Sequence, residues 1–325
     1  MSQRLAVRFA GMSWDNPLTV ASGIYVPWGR DMPQLPLGEL GAVTCKSVST
    51  EPWPGNVKPW FADLGADLGM LNAIGIRNPG IDDYLRDFTD ELRAIGRPLI
   101  QSLAAVRVED FCRLAARFTE TGLFAALELN MSCPNTDGAQ MAFGQAPEPA
   151  HDLVRAVRAE TDLPIIAKLT PNTADVAAVA RACAEAGASA LTLINTVLAM
   201  DIDVRTGLPR TGLRTAGLSG PAIRPLALRI VWDVHAAVDL PIIGAGGIGS
   251  AEDALKFILA GATAVAVGTA AVRRPPVMGE ILDGLDAACA ERGTDIAGLV
   301  GLSHRLLAER AAAVAADRDS GAVTR

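Results

Sequence analysis

The sequence predicts a closed (β/α)8 barrel, the TIM-barrel fold, with long loop insertions at one end. Short apolar runs alternate with amphipathic stretches, a pattern typical of parallel strands covered by helices on both faces. Eight such units without a break in composition favour a closed barrel over an open doubly wound sheet. The 325 residues also suit a barrel with insertions, so we expect a single domain over residues 1–325 that ends in a polar tail at about 309–325.

Each predicted strand is a short run rich in β-branched or apolar residues. The clearest helical stretches between them are 109–121, 173–186 and 251–260, of which the last two end at Gly187 and Gly261. Glycine commonly ends helices because it adopts the left-handed conformation without a steric cost. In chain order, the predicted strands are 18–21, 42–47, 98–104, 125–131, 164–170, 190–196, 241–246 and 264–269.

Two connections are longer than those that normally join a strand to the next helix. One is residues 48–79, which are rich in Trp, Pro and Gly, and the other is residues 197–220. Both follow the C-terminal end of a predicted strand, which is where barrels build their binding sites. We therefore expect the active site at this end of the barrel.

Composition excludes several classes of function. A formal net charge of -7 offers no basic surface for a polyanion, so we expect no nucleic-acid partner. No run reaches the roughly 18 apolar residues of a membrane span, so we expect no membrane association. The five cysteines are scattered, which predicts neither a metal nor an iron–sulfur cluster in this chain. Their odd number, with no signal-peptide pattern in residues 1–14, predicts a cytoplasmic location.

Polar residues and a glycine recur at the C-terminal ends of the predicted strands. Because parallel strands end on the same side of a barrel, these residues should converge on one mouth. Leaving them buried there without partners would cost on the order of several kcal/mol in total, which favours a binding site. The six positions are Ser22, Lys46, Asn130, Lys168, Asn195 and Gly246.

Residues 244–249 (GAGGIG) match the GxGxxG pattern of dinucleotide-binding folds. That interpretation needs an acidic residue about 20 positions further on, and none is present where the next strand ends. In a barrel, glycine-rich turns after strands seven and eight instead expose backbone N–H groups to a phosphate. We therefore predict a phosphate site formed by Gly246, Gly247, Gly268 and Thr269.

The segment 128–135 (ELNMSCPN) leads from an apolar strand into a polar turn that carries one thiol. A buried structural cysteine has apolar neighbours, whereas Cys133 stands among Asn, Ser and Pro at the start of a loop. This setting favours a reactive cysteine. The residues alone leave open whether it is a nucleophile, a metal ligand or a redox sensor, although no metal-ligand set accompanies it.

Taken together, the motifs resemble those of the dihydroorotate dehydrogenases, a family of FMN-dependent barrels in pyrimidine synthesis. The resemblance extends from residue 18 to residue 270, and the motifs occur in the order of that family. They are CKSVSTEPWPGN (45–56), GMLNAIGIRNPG (69–80), ELNMSCPN (128–135), AKLTPN (167–172), LINT (193–196), GLSGPAIRP (217–225) and GAGGIGSAEDA (244–254).

Within that family, a cysteine in the active-site loop is similar to the soluble enzymes, whereas the membrane-associated class has a serine. The stretches NAIGIRNPG and MAFGQAPE resemble the NAD-linked class, whose catalytic chain pairs with a subunit that carries FAD and a 2Fe–2S cluster. The resemblance thus implies FMN as the cofactor, a partner subunit with FAD and an iron–sulfur cluster, and a homodimer of catalytic chains.

The implied reaction is the oxidation of (S)-dihydroorotate to orotate, in which Cys133 removes a proton from ring carbon 5 and FMN accepts a hydride from ring carbon 6. The implied substrate-binding residues are Lys46, Asn72, Ala73, Ile74, Gly75, Ile76, Asn130, Asn135, Asn195 and Thr196. The implied cofactor-binding residues are Ser22, Lys46, Ser47, Asn130, Lys168, Ile194, Gly220, Gly246, Gly247, Gly268 and Thr269.

One position departs from the family pattern. Where the family usually has an asparagine after the third strand, this chain reads IQS at 100–102, so Ser102 is left out of the predicted site. Three alternatives stay open: a flavin barrel like that of dihydropyrimidine dehydrogenase, a phosphate-binding aldolase or isomerase that uses Lys46 or Lys168, and a non-catalytic nucleotide-binding barrel.

Overall fold

A computed structural model describes residues 3–29, 34–131 and 142–321. Eight parallel strands form one sheet, and each overlaps one of the eight predicted runs, so the predicted (β/α)8 architecture is confirmed. The strands are β1 (Leu18–Val20), β2 (Val43–Thr44), β3 (Leu99–Leu103), β4 (Ala126–Asn130), β5 (Ile165–Leu169), β6 (Ala190–Leu193), β7 (Ile242–Ala245) and β8 (Ala264–Val267).

The sheet curves until its first and last strands meet. Its strand order is β1-β8-β7-β6-β5-β4-β3-β2. On the remaining side, between β1 and β2, the Gly41 N–H donates to the Leu18 carbonyl at 2.9 Å. The hydroxyls of Thr19 and Thr44 lie 3.1 Å apart across the same gap. The C-terminal ends of all eight strands therefore surround one mouth.

Helices cover the outside of the barrel. The predicted stretches 109–121, 173–186 and 251–260 correspond to α2 (Val108–Glu120), α4 (Val176–Glu185) and α6 (Ala251–Leu259). Side-chain caps set two of their starts: Asp175 accepts from the Ala178 N–H and Ser250 accepts from the Asp253 N–H. The helices are α1 (Ile81–Ala94), α2 (Val108–Glu120), α3 (Pro147–Arg158), α4 (Val176–Glu185), α5 (Arg224–His235), α6 (Ala251–Leu259), α7 (Thr269–Arg273), α8 (Val277–Glu291), α9 (Ile296–Leu299) and α10 (Leu302–Gly321).

The two long connections are present, and they pair with each other. Each contributes two strands to a four-stranded antiparallel sheet beside the mouth, called here the mouth sheet. A further hairpin extends from the second connection. The strands of the mouth sheet, in spatial order, are Val197–Ala199, Ala216–Ser219, Met70–Asn72 and Phe61–Asp63, and those of the hairpin are Ile202–Asp203 and Leu208–Pro209.

The remaining elements are short or peripheral. The part predicted as a polar tail from about residue 309 lies in α10 as far as Gly321. Among the described residues, no helix is both long enough and apolar enough to cross a membrane. Short 3-10 helices occur at Gln3–Leu5, Leu37–Glu39, Ala142–Gly144 and Pro221–Ile223, and an antiparallel hairpin joins Val7–Phe9 to Met12–Trp14.

The barrel strands are buried at every position except Asn130, which is partly exposed at the end of β4. Most of these residues are apolar, as expected for parallel strands with both faces covered. The barrel nevertheless holds buried polar side chains, among them Glu128, Lys168 and Thr192. Buried charged groups need partners, so these residues lead to the site.

Candidate active site

Lys168 lies near the C-terminal end of β5. Its Nζ donates to Ser22 Oγ at 2.8 Å, which brings together two residues that the sequence predicted as cofactor contacts. The same Nζ lies 3.9 Å from Glu128 Oε1, and the side chains of Lys168 and Glu128 are only 6% and 2% exposed. The ammonium group is therefore held between a hydroxyl and a buried carboxylate.

A row of hydrogen-bonded amides and hydroxyls crosses the mouth. Asn195 Nδ2 lies 3.3 Å from Asn130 Oδ1, and Asn130 Nδ2 lies 3.3 Å from Ser47 Oγ. The row continues to Ser102, whose hydroxyl oxygen is 2.9 Å from that of Ser47. Three predicted residues are thus brought together, and Ser102 supports the row through Ser47. Asn135, also predicted, lies outside the described residues.

Lys46 follows β2 and lies against the turn after β1. A Cβ built on Gly23 would lie 3.7 Å from Lys46 Nζ, so the amine lies against Gly23 in that turn. Gln101 Nε2 donates to the Lys46 carbonyl at 3.0 Å, and the Tyr84 hydroxyl donates to Gln101 Oε1 at 2.9 Å. These two hydrogen bonds therefore fix the backbone at Lys46.

The mouth sheet brings Asn72 and Thr196 close together, although they are far apart in the sequence. Asn72 Nδ2 donates to the Gly217 carbonyl at 3.2 Å. A Cβ built on Gly217 would lie only 2.2 Å from Thr196 Oγ1, so no larger residue fits between them. Asn172 Nδ2 donates to the Thr196 carbonyl at 3.1 Å and so fixes the turn after β6.

The predicted substrate segment after Asn72 is organised by Asn56. Asn56 Nδ2 donates to the Ala73 carbonyl at 3.0 Å, and the Asn56 N–H donates to the Ile74 carbonyl at 3.1 Å. Gly75 has a φ of +75°, and a Cβ there would lie 3.1 Å from the Asn56 side chain. Asn56 therefore holds this segment in place, and the Ala73 and Ile74 carbonyls already accept hydrogen bonds within the chain.

The glycine-rich turn after β7 packs against two other predicted residues. Gly246 and Gly247 have φ values of +124° and +75°, in the region that favours glycine. A Cβ on Gly247 would lie 2.7 Å from Arg224 Cβ and 2.8 Å from the Gly220 carbonyl oxygen. One on Gly246 would lie 3.5 Å from Ile194 Cγ1. The packing therefore requires glycine at 247 and brings Gly220 and Ile194 to the same turn.

The turn after β8 completes this cluster, called here the glycine cradle (Gly246, Gly247, Gly268 and Thr269). Thr269 Oγ1 donates to Ser219 Oγ at 2.8 Å. A Cβ on Gly268 would make an ordinary van der Waals contact with Ala21 Cβ at 3.7 Å, so this glycine is not enforced by close packing. Within the described parts of the chain, no backbone carbonyl accepts from the N–H of Gly247 or Gly268. Backbone N–H groups in such turns suit a phosphate.

These features together fit FMN. The glycine cradle offers backbone donors for a phosphate group, and Lys168 offers a buried cation for a ring that gains negative charge on reduction. The amide row offers donors and acceptors of both kinds for flat heterocycles. The predicted cofactor residues described here therefore lie around one mouth, and their chemistry suits a phosphate-bearing redox ring.

The described cysteines differ from the setting predicted for Cys133, which itself lies outside the described residues. Burial raises the pKa of Cys45 to about 12 and that of Cys183 to about 12. Burial is also the main cause of the raised pKa of Cys112 and of Cys289, with nearby carboxylates adding to it. These four thiols therefore stay protonated at neutral pH.

Sequence reasoning missed several residues that support the site. Glu128 carried a detectable signal, because an acid inside an apolar strand needs a buried partner. Thr192 donates to Glu128 Oε2 at 2.9 Å, and Asn172 and Gln101 hold the backbone at Thr196 and Lys46. Nothing in the local sequence indicated these last three roles, because each depends on contacts between different strands.

The chain is similar to known proteins over most of its length. A family model described as Dihydroorotate dehydrogenase matches residues 4–288. A relative from Desulforudis audaxviator, named Dihydroorotate dehydrogenase B (NAD(+)), catalytic subunit, is 46% identical over 94% of this chain and 99% of its own length. Relatives of the same name from Desulforamulus reducens and Anoxybacillus flavithermus are 43% and 44% identical, over 94% and 90% of this chain and 100% and 93% of theirs.

Proposed function

Because the chain belongs to the dihydroorotate dehydrogenase family, we propose that its barrel mouth oxidises (S)-dihydroorotate to orotate in de novo UMP synthesis. This reaction removes a proton from ring carbon 5 and a hydride from ring carbon 6, so the site needs a base, a hydride acceptor and groups that orient the ring. The observation that carries the proposal is the row of Asn195, Asn130 and Ser47 at three strand ends of the same mouth that Lys46 and Lys168 border.

The substrate is a flat ring of alternating amide donors and acceptors with one carboxylate. Carboxamides match both kinds of group, so Asn72, Asn130 and Asn195 orient the ring and stabilise the charge that develops as the proton leaves. Lys46 neutralises the carboxylate. The proposed substrate contacts are Lys46, Asn72, Ala73, Ile74, Gly75, Ile76, Asn130, Asn135, Asn195 and Thr196.

FMN, when bound, supplies the hydride acceptor that no side chain can provide reversibly. In this proposal the glycine cradle binds its phosphate, and Lys168 stabilises the negative charge of the reduced ring. The support comes from the donors of the cradle and from the burial of the ammonium group beside the mouth. The further proposed contacts are Ser22, Lys46, Ser47, Asn130, Ile194 and Gly220.

Cys133 acts as the base in this proposal and takes the proton from ring carbon 5. A thiol titrates near 8.5, and neighbouring amides or cations shift it toward neutrality, so a thiolate is accessible at physiological pH. The raised pKa of Cys45 and of Cys183 supports this assignment, because neither buried thiol supplies a base at neutral pH.

Electrons leave the site through a partner subunit in this proposal. The relatives are named catalytic subunits of an NAD(+)-linked enzyme, and a catalytic subunit of that kind functions with an electron-transfer partner. We assign FAD and a 2Fe–2S cluster to that partner, since the scattered cysteines of this chain suit neither. A cytoplasmic location is part of the same proposal and is supported by the odd number of cysteines.

A homodimer of catalytic chains is the other proposed assembly. Its support is the segment 197–209, called here the arm, which presents apolar side chains to solvent. The arm also carries both charge signs, with Asp203 and Arg205 paired at 3.5 Å, which suits a patch that contacts its own copy across a two-fold axis. The apolar residues are Leu198, Met200, Ile202, Val204 and Leu208, which are 44% to 94% exposed.

Two measurements test the proposed function. The purified protein should be yellow or take up FMN, and it should oxidise dihydroorotate with an artificial electron acceptor. Cys133→Ala should keep FMN and orotate binding but lose about 10²–10⁴-fold in turnover, the usual effect of removing a general base. Cys112→Ala, the same change at a thiol on the outer helix α2, should leave turnover unchanged.

Failure of FMN uptake would exclude the flavin assignment. Turnover of Cys133→Ala within about twofold of the parent would exclude Cys133 as the base. Preference for uracil over orotate in binding would favour a dihydropyrimidine dehydrogenase-like function instead.

A further inference from the structure

Glu128 is a buried acid inside the barrel. Its Oε2 accepts from Thr192 Oγ1 at 2.9 Å. Its Oε1 has no hydrogen-bond partner among the described residues, and the nearest cation is Lys168 Nζ at 3.9 Å. The side chain is 2% exposed, so water does not solvate the charge. One carboxylate oxygen is therefore stabilised mainly by the field of a single ammonium group.

The strand register places the backbone of Glu128 deeper in the barrel than that of Lys168. Glu128 pairs with Ile166 across β4 and β5, and Lys168 lies two residues further toward the C-terminal end of β5. The Glu128 side chain reaches from there to Thr192, which pairs with Lys168, so the carboxylate lies beside the ammonium group. Ser22 Oγ accepts from Lys168 Nζ at 2.8 Å and holds the ammonium at that level.

Burying an ion at this depth costs on the order of several kcal/mol unless an opposite charge compensates it. Neutral residues fill most of the barrel interior, and packing alone gives no reason for an acid at this position. What an acid adds is charge. It holds the Lys168 ammonium group in place, and it partly offsets the positive potential that the lysine projects into the mouth.

We propose that Glu128 is a positioning residue that holds Lys168 and, by offsetting its charge, sets the reduction potential of the flavin bound at the mouth. The proposal rests on the proposed function, because it requires FMN above Lys168. Oxidised flavin that accepts a hydride gains two electrons and one proton, and hence one negative charge. The Lys168 charge favours that anion and the Glu128 charge opposes it.

Glu128→Gln in the FMN-loaded protein tests the sign of this effect on the reduction potential of the flavin. Gln keeps the size of the side chain and can still accept from Thr192, but it removes the negative charge. We expect the oxidised–reduced equilibrium to shift at least about tenfold toward reduced flavin, which is about 30 mV for a two-electron couple. Spectroelectrochemistry measures the potential, and FMN fluorescence titration measures the affinity of the oxidised form.

Asp110→Asn is the matched control. Asp110 is also a largely buried acid, but it pairs with Arg107 at 2.9 Å on the outer helix α2. The same chemical change there should leave the potential within about 10 mV of the parent, since a charge outside the barrel is screened from the site.

A double-substitution cycle separates charge from packing. In Lys168→Met the buried carboxylate loses its cation and takes up a proton. Adding Glu128→Gln to that background should therefore move the potential by less than about a third of its effect in the parent. An equal effect in both backgrounds would overturn the proposal, as would a potential that Glu128→Gln leaves unchanged.

If Glu128→Gln fails to fold, Thr192→Val tests the same point. It removes the hydroxyl that donates to Glu128 Oε2, which disfavours the charged carboxylate, so the potential should rise in the same direction. An unchanged potential in Thr192→Val would then overturn the proposal. A parent protein that takes up no FMN would instead overturn the proposed function, so the two failures are distinguishable.

Discussion

Tight packing shifts the pKa of individual side chains in this protein. His235, at the end of α5 and outside the site, is an example. A Cβ on Gly261 would lie 2.1 Å from His235 Cγ, and one on Gly301 would lie 2.6 Å from His235 Nε2. Burial lowers the pKa of His235, and the electrostatic effects of nearby His304 and Arg305 lower it further. The imidazole is therefore kept neutral in the folded state.

This lowered pKa predicts that acid destabilises the fold. The folded-state pKa of His235 lies below its ordinary value of about 6.5, so below that pH the unfolded chain binds more protons and stability falls as the pH falls. We expect the thermal midpoint to drop between pH 7.5 and pH 5.5, and to drop less in His235→Gln. Differential scanning calorimetry at both pH values checks this, and an equal drop in the two proteins would contradict it.

At the scale of elements, the turn between β7 and α6 is the most constrained part of the glycine cradle. Gly247 needs a positive φ and has no room for a Cβ, whereas a Cβ on Gly249 would meet nothing closer than 3.8 Å. Packing therefore requires glycine at position 247 but not at position 249. The same substitution at both positions of this turn provides a test and its control.

Gly247→Ala should weaken FMN binding, and Gly249→Ala should not. Forcing alanine into a left-handed conformation against Arg224 costs about 1–3 kcal/mol, which corresponds to a loss of affinity of roughly tenfold or more if the turn shifts to relieve it. Gly249→Ala should stay within about twofold of the parent. FMN titration followed by fluorescence measures both, and equal affinities would show that the cradle does not bind the phosphate.

The sequence predicted the elements better than it predicted their contacts. Apolar runs and helix-ending glycines such as Gly187 and Gly261 are local signals, and the predicted strands and helices followed from them. The pair of Glu128 and Lys168 was not predicted, because it depends on the register of two strands 40 residues apart. The mouth sheet was not predicted either, since strands of three or four residues carry no clear periodicity.

At the scale of the whole molecule, the arm is the most exposed apolar feature among the proposed contacts. A second copy of the chain would cover it through a two-fold contact. The other exposed apolar side chains include Leu306 and Leu307 on α10, which belong to a different part of the fold. A charged substitution on α10 therefore controls for the effect of added surface charge alone.

Leu208→Arg should convert the proposed dimer to a monomer. Leu208 is 64% exposed in the single chain, and two unpaired guanidinium groups brought together at a two-fold contact would repel each other. Leu307→Arg, at a side chain that is 55% exposed, should leave the dimer intact. Sedimentation velocity distinguishes the two species, and a dimer that survives Leu208→Arg would exclude the arm as its interface.

The mouth sheet joins two loops whose paired residues Asn72 and Gly217 are 145 residues apart in the sequence. Asn72 and Gly217 are paired in its register, and Gly217 in turn packs against Thr196. A shift of one residue in either loop would turn the next side chain toward the proposed substrate position and Asn72 or Thr196 away from it. A length change in one loop therefore calls for a compensating change in the other, which makes the two loops one unit for any redesign of the site.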